Sequence, residues 1–178
     1  MDNIKNIPVY FTGEKINLLP LEKEDMPFVM KWVNNEGISY YNGARFPVSL
    51  HEQNTWYEKT QNDKTKKKLI ICNKEGVKAG MISLFNIDLR NQNAEAGIYI
   101  DTAFQGKGYA KEALSIIIRF GFNELNMHKI YATILDFNVN SIKLFEAVGF
   151  KPEYIKKEVY FTNGKFCDVH ILSVFRKQ

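Results

Sequence analysis

Cysteine is nearly absent from this chain: 178 residues carry only Cys72 and Cys167. Two thiols build no disulfide framework, and neither stands at a metal-ligand spacing, so no bound metal is expected. Long apolar runs are missing too. The densest, Leu114 to Phe122, is interrupted by Arg119 and Gly121, well short of the roughly 20 apolar residues that cross a bilayer. The first residues, Met1-Asp2-Asn3-Ile4-Lys5, show neither the apolar core nor the small-residue cleavage site of a secretory signal. A cytoplasmic protein with no membrane partner is expected. Charge of one sign is also in short supply. The formal net charge is +4, and much of the excess sits in Lys64, Lys66, Lys67 and Lys68. A nucleic-acid footprint would join such a cluster to a reading element; none is visible, and a solvated loop is the simpler reading. What remains is ordinary, with 45% hydrophobic and 25% charged residues. That is the composition of one globular domain, here residues 1–178, within the usual size of roughly 100–200 residues.

Apolar patterning orders the chain. Lys15 to Leu21 reads as a strand. Asp25 offers an N-cap and Pro27 suits a first helical turn, before a stripe of Phe28, Val29, Trp32 and Val33 that Asn34-Asn35-Glu36-Gly37 ends. Ser49-Leu50-His51-Glu52 is a capping box that opens a helix to about Thr60. Lys68 to Cys72, Val77 to Phe85 and Ala94 to Asp101 form a strand meander. A longer helix begins near Ala110, with Lys111, Glu112, Ser115, Arg119 and Asn123 opposite Ala113, Leu114, Ile117 and Phe120. Lys129 to Leu135 is strand-like, Asn140 to Val148 a short helix, and Asn163-Gly164 a hairpin turn between Glu158–Thr162 and Phe166–Phe175. The order β-α-α-β-β-β-α-β-α-β-β predicts an α/β fold with one mixed sheet. Its crossover from Ala94–Asp101 through the long helix to Lys129–Leu135 should be parallel and right-handed.

Gln105-Gly106-Lys107-Gly108-Tyr109-Ala110 lies between a strand and the start of that long helix. Two glycines let successive amides point into one concavity, and the helix start adds free N–H groups and a positive dipole end. An anion such as a pyrophosphate suits this loop, and Lys107 adds charge nearby. A nucleotide P-loop fails because Gly108, not Ser or Thr, follows Lys107. The dinucleotide fingerprint fails because Lys111 stands where a third Gly or Ala belongs and the loop does not follow the first strand.

In this context the loop resembles the signature of the GNAT superfamily of acetyltransferases, Gln/Arg-x-x-Gly-x-Gly/Ala, with Gln105, Gly108 and Ala110 in register. A second family signature, an Asn before a short helix that ends in Gly-Phe, is matched from Asn138 to Gly149-Phe150. The Asn-x-x-Ser spacing and the Asn-Gly hairpin look like the branch of ribosomal-protein N-terminal and spermidine acetyltransferases. The resemblance implies a GNAT-like mixed sheet of about seven strands, splayed centrally and flanked by about four helices. It implies acetyl-CoA as cofactor, its pyrophosphate on the amides of Gln105, Gly106, Lys107, Gly108, Tyr109, Ala110 and Lys111. The pantetheine arm would run along the strand edge at Ile98, Tyr99 and Ile100, with Asn138 and Ser141 near its reacting end.

Transfer to an amine needs a neutral nucleophile. A lysine amine with pKa near 10.4 is about 0.04% neutral at pH 7, an α-amine near 8 roughly 10%. A general base is worth about 10²–10⁴ in rate. Glu95 is the candidate base, with Ala94, Ala96, Gly97 and Ile98 as apolar neighbours able to raise its pKa. Many family members carry a Tyr as general acid in Leu-Tyr-Glu; here the residues are Leu144-Phe145-Glu146. Phe145 has no proton to give and is expected in the core. Ser141, one turn earlier, is the expected substitute, with His128 and Tyr131 less clearly aimed. The backbone amide of Tyr99 is a candidate donor to the carbonyl oxygen.

Trp32, Tyr40, Tyr41, Phe46 and Trp56 fall in or beside the first two helices, which line the acceptor side in this family. Tyr40-Tyr41-Asn42-Gly43-Ala44-Arg45-Phe46 lacks the acidic cluster of a polyamine site, Arg45 would repel a polyamine, and Asn86 falls where that subfamily tends to be acidic. A peptide α-amine or small primary amine is therefore the expected acceptor. The alternatives are a polyamine acetyltransferase and a non-catalytic acyl-CoA-binding sensor. A homodimer is expected only because homodimers are the commonest assembly.

Overall fold

Every neighbouring strand pair in the sheet is antiparallel except one, and that exception makes the site. The computed structural model describes residues 8–42 and 46–177. Eight strands form one sheet: β1 (Phe11–Thr12), β2 (Ile16–Pro20), β3 (Lys67–Asn73), β4 (Lys78–Asp88), β5 (Asn93–Ile100), β6 (Lys129–Leu135), β7 (Lys151–Thr162) and β8 (Lys165–Phe175). Their spatial order is β1-β2-β3-β4-β5-β6-β8-β7. Among the described residues, five α-helices accompany them: α1 (Met26–Val33), α2 (Glu36–Asn42), α3 (Leu50–Gln61), α4 (Tyr109–Asn123) and α5 (Val139–Glu146). The parallel pair is β5 with β6, joined by the α4 crossover.

One face of the sheet packs under α4. Ala113, Leu114 and Ile117 are fully buried against Ile82, Leu84, Ala94 and Ile130, as the spacing predicts. Gly121 sits inside this helix because β6 passes close: a Cβ there would meet Ile130 Cδ1 at 2.7 Å. The other face packs under α1, where Met26, Val29 and Trp32 cover Leu19, Ile70, Cys72 and Met81. Burial pushes the Cys72 thiol up to about 12, so it stays protonated and inert. The Ser49–Glu52 capping box opens α3 as expected. Asp25 stands at the α1 N-cap without capping it. Its carboxylate turns inward, accepts from the Glu22 N–H at 2.8 Å and pairs with Lys78 Nζ at 2.5 Å. No helix among the described residues is long and apolar enough to cross a membrane.

Three elements depart from the sequence expectation of seven strands and four helices. β1 is a two-residue strand, too short for a pattern. α2 continues where Asn34 to Gly37 was expected to end helical structure; Gly37 sits in its first turn. β7 begins at Lys151 rather than Glu158. Its solvent exposure removes the alternation that marks a half-buried strand, and a register shift between Lys156 and Tyr160 interrupts its ladder.

Candidate active site

β5 and β6 run together for three rungs, Asn93–Lys129, Ala94–Ile130 and Glu95–Tyr131. Beyond Glu95 they part. β4 holds β5 as far as Ile100 and β8 holds β6 as far as Leu135, so a wedge opens between them. The antiparallel ladder decides what β5 shows to that wedge. Asp101 donates its N–H to Ala79 O at 2.8 Å. Because hydrogen-bonded pairs alternate along such a ladder, the N–H of Tyr99 also points into β4. Those of Ile98 and Ile100 point the other way. Ile100 O, on that free side, accepts from Gln105 Nε2 at 3.3 Å. The candidate donor therefore moves from the Tyr99 amide to that of Ile98; period-two alternation is invisible until the register is known.

At the end of β5 a single 3-10 turn, Thr102–Phe104, leads into the glycine loop. Gly106 and Gly108 take φ of 75° and 82°, a region that side chains with a Cβ rarely enter. Gly108 is the N-cap of α4 and no side chain caps that helix, so its first-turn amides remain available to an anion. The cation beside the loop is not the expected one. Lys107 Nζ lies 4.9 Å from the centroid of the Phe104 ring, and Lys107 does not line the cleft. Lys15 arrives from the turn before β2, and a Cβ on Gly108 would meet its Nζ at 3.2 Å.

Two cavities meet at the wedge, sharing Tyr41, Ile98 and Tyr99. The first, about 620 Å³, runs from the glycine loop along Ile98, Tyr99 and Ile100, with Asn138, Ser141 and Leu144 opposite. Asn138 Oδ1 caps α5 by accepting from the Ser141 N–H at 3.2 Å. Phe145 is buried in the core, edge-on to Phe150 at 4.9 Å. Of the expected cofactor residues, only Lys107 stands apart from this lining.

The second cavity, about 790 Å³, lies on the α1–α3 face with Glu95 half-buried in its wall. Glu95 Oε2 accepts from Asn86 Nδ2 at 3.0 Å. Asn86 reaches it from a bulge in β4, with φ of 51°. Tyr131 sits directly across from Glu95 on the neighbouring strand; desolvation first, then the Glu95 charge, raises the pKa of its phenol. Tyr131 is thus a neighbour of Glu95, whereas His128 stands just before β6 against Phe175. Tyr41, Phe46 and Trp56 line the cavity. Trp32 does not: it is core, donating Nε1–H to Asp101 at 2.8 Å. Tyr40 packs on Phe137 at 4.7 Å. Lys68, expected in a solvated loop, instead lines this cavity. Arg45 lies outside the described residues. Lys15 carries no sequence signal for the site, and Asn86 and Tyr131, named from sequence as a non-acidic acceptor position and as an alternative acid, come beside Glu95 only through register and turn geometry.

The Acetyltransferase (GNAT) domain family matches residues 15–151. This chain belongs to the GNAT acetyltransferases. The chain is 30% identical over 159 residues to the SPbeta prophage-derived uncharacterized N-acetyltransferase YokL of Bacillus subtilis, covering 89% of each chain. It is 28% identical over 168 residues to the spermidine N(1)-acetyltransferase of Escherichia coli, covering 94% of this chain and 89% of that one. A crystal structure of spermidine N-acetyltransferase from Vibrio cholerae, in complex with CoA and spermine, superposes with a TM-score of 0.86 at 28% identity. That match covers 92% of this chain and 96% of the other. The protein is an acetyl-CoA-dependent N-acetyltransferase that moves an acetyl group to an amine. The wedge and loop fit that cofactor: two positive-φ glycines open an uncapped helix start beside Lys15, and the free edge of β5 can pair with an amide-bearing arm.

Proposed function

We propose that this acetyltransferase acts by direct attack of a peptide α-amine or small primary amine within a ternary complex, as one domain in the cytoplasm. The observation that carries the reading is the position of Glu95, on the last paired rung of β5 and β6 and in the wall of the second cavity, three residues before Ile98, where that cavity meets the first. Acetyl-CoA supplies the acetyl group activated as a thioester. The amides of Gln105 to Lys111, with the Lys15 ammonium, hold its diphosphate, and the edge from Ile98 to Ile100 holds its arm. Glu95 takes a proton from the acceptor amine, and Asn86 steadies its carboxylate by occupying Oε2. The Ile98 N–H donates to the oxygen where negative charge develops. Asn138 fixes the first turn of α5, so that the Ser141 hydroxyl, which lines the cleft, can donate a hydrogen bond to the departing group. A polyamine acceptor is the second reading, favoured by the spermidine acetyltransferase relatives.

Calorimetric titration with acetyl-CoA, with NADH as control, tests the cofactor site, and thiol release with a panel of amines tests transfer. Saturable acetyl-CoA binding with amine-dependent thiol release supports the reading. Binding without release to any amine sinks the role of Glu95. Self-association through β7 completes the proposal. Among the described residues that edge strand pairs only with β8, and it exposes Tyr154, Ile155, Val159 and Phe161, the kind of edge that soluble proteins cover. Light scattering of the wild type and of Val159→Lys checks it; a monomeric wild type refutes it.

A further inference from the structure

We propose that the acceptor carries an anionic group about one dipeptide length from its reactive amine, and that Lys68 binds this anion in the cavity that also holds Glu95. The inference rests on the acetyl-transfer reading of Glu95. Lys68 lies opposite Ser83 on β4, and Ser83 lies opposite Gly97 on β5. Directly opposed residues share a face, and Glu95 lies two residues from Gly97 on that same face. Lys68 and Glu95 are therefore two strand spacings and one two-residue step apart, about 12 Å between their Cα atoms. Both side chains line the same cavity.

Every other charged group there already has a partner. Glu52 accepts from the N–H and hydroxyl of Ser49 at 2.8 and 2.7 Å, and Glu95 accepts from Asn86 Nδ2 at 3.0 Å. Asp63, beyond the rim, pairs with Lys66 at 2.8 Å. Lys68 has only the Trp56 ring, 5.1 Å from Nζ to its centroid, and among the described residues no carboxylate pairs with it. Burial, and then the neighbouring Lys66 charge, lowers its pKa. A half-buried ammonium facing an aromatic ring is incompletely compensated, and an incoming anion would complete it. Val33, Phe46, Trp56, Phe85 and Leu135 make much of the remaining wall apolar, beside the polar Gln53, Ser83 and Thr133, suited to a hydrocarbon or aromatic body between the two charges. The same ammonium repels a second cation, which sets this cavity against a polyamine.

The test compares phenylalanyl-alanine as the free acid with its C-terminal amide, at saturating acetyl-CoA, followed by thiol release. Spermidine is the third acceptor. The acid should exceed the amide in kcat/KM by about tenfold or more, mainly through KM. Lys68→Gln should erase that ratio, with acetyl-CoA affinity reporting that the variant is folded. Equal rates for acid and amide, a ratio that survives Lys68→Gln, or turnover of spermidine alone would overturn the proposal. If no acceptor is turned over, the role of Glu95 fails, and the anion site is read by binding. The N-acetylated acid and amide are then titrated into CoA-loaded protein. Tighter binding of the acid that Lys68→Gln removes supports the site, and equal or absent binding overturns it.

Discussion

The two cavities that meet at Ile98 and Tyr99 differ in what builds them. The cofactor cleft is mostly backbone: the free edge of β5, the amides of the glycine loop and the start of α4. The proposed acceptor cavity is walled by residues brought from α1, α2, α3, β3, β4, β5, β6, β7 and β8. Backbone presents the same donors whatever the neighbouring residues, so one short loop can specify a cofactor. Side chains present chemistry that changes with each substitution, so acceptor choice can vary while the cleft stays. The difference locates specificity on the α1–α3 face and cofactor binding at the wedge.

Glu95→Gln should separate the two sides most sharply. It should lower kcat by about 10²–10⁴ and leave the acetyl-CoA dissociation constant unchanged by titration; a matched loss of affinity would mean that the regions are not independent. Lys78→Met, on the acceptor side, leaves the Asp25 carboxylate buried without its partner. A loss of about 3–5 kcal/mol is expected, read by denaturant unfolding. Gly108→Val works on the other side. Its φ of 82° disfavours any Cβ and the Lys15 ammonium crowds the site, so strain of about 1–2 kcal/mol should weaken acetyl-CoA binding by about tenfold or more, read by titration. Ser141→Ala should lower kcat by about tenfold, the worth of one hydrogen bond to a charged group, with KM for the amine unchanged in steady-state assays. Phe145→Tyr should give no rate gain. Its ring lies in the core against Phe150, and the added hydroxyl costs about 1–3 kcal/mol unless it finds a partner. A higher kcat in that variant would return the general acid to position 145 and remove it from Ser141.

Local signals were legible where a local rule forces the residue. The Gly106 and Gly108 loop demands positive φ, the Ser49–Glu52 box satisfies orphan amides, and α4 repeats its apolar face at helical spacing. These signals predicted the crossover, the positive-φ glycine loop and the strand that carries Glu95. Signals failed where burial or register decides. The exposed strand β7 had no alternation to read, and α2 begins beside a Gly that looked like a stop. Lys68 looked like part of a solvated run until β3 placed it on the face beneath Trp56. Tyr99 looked like the amide donor until the ladder turned its N–H into β4.

The sequence by itself determined the glycine loop and the start of α4, because a glycine loop between a strand and a helix is a contiguous backbone object with its own conformational requirements. Only the tertiary structure decided the rest. Tyr131 and Asn86 come beside Glu95 from different strands, Lys15 meets the loop from far earlier in the chain, and Lys68 lines the same cavity as Glu95 from two strands away. Strand pairing sets those distances, and pairing register is a property of the folded sheet that no single segment encodes.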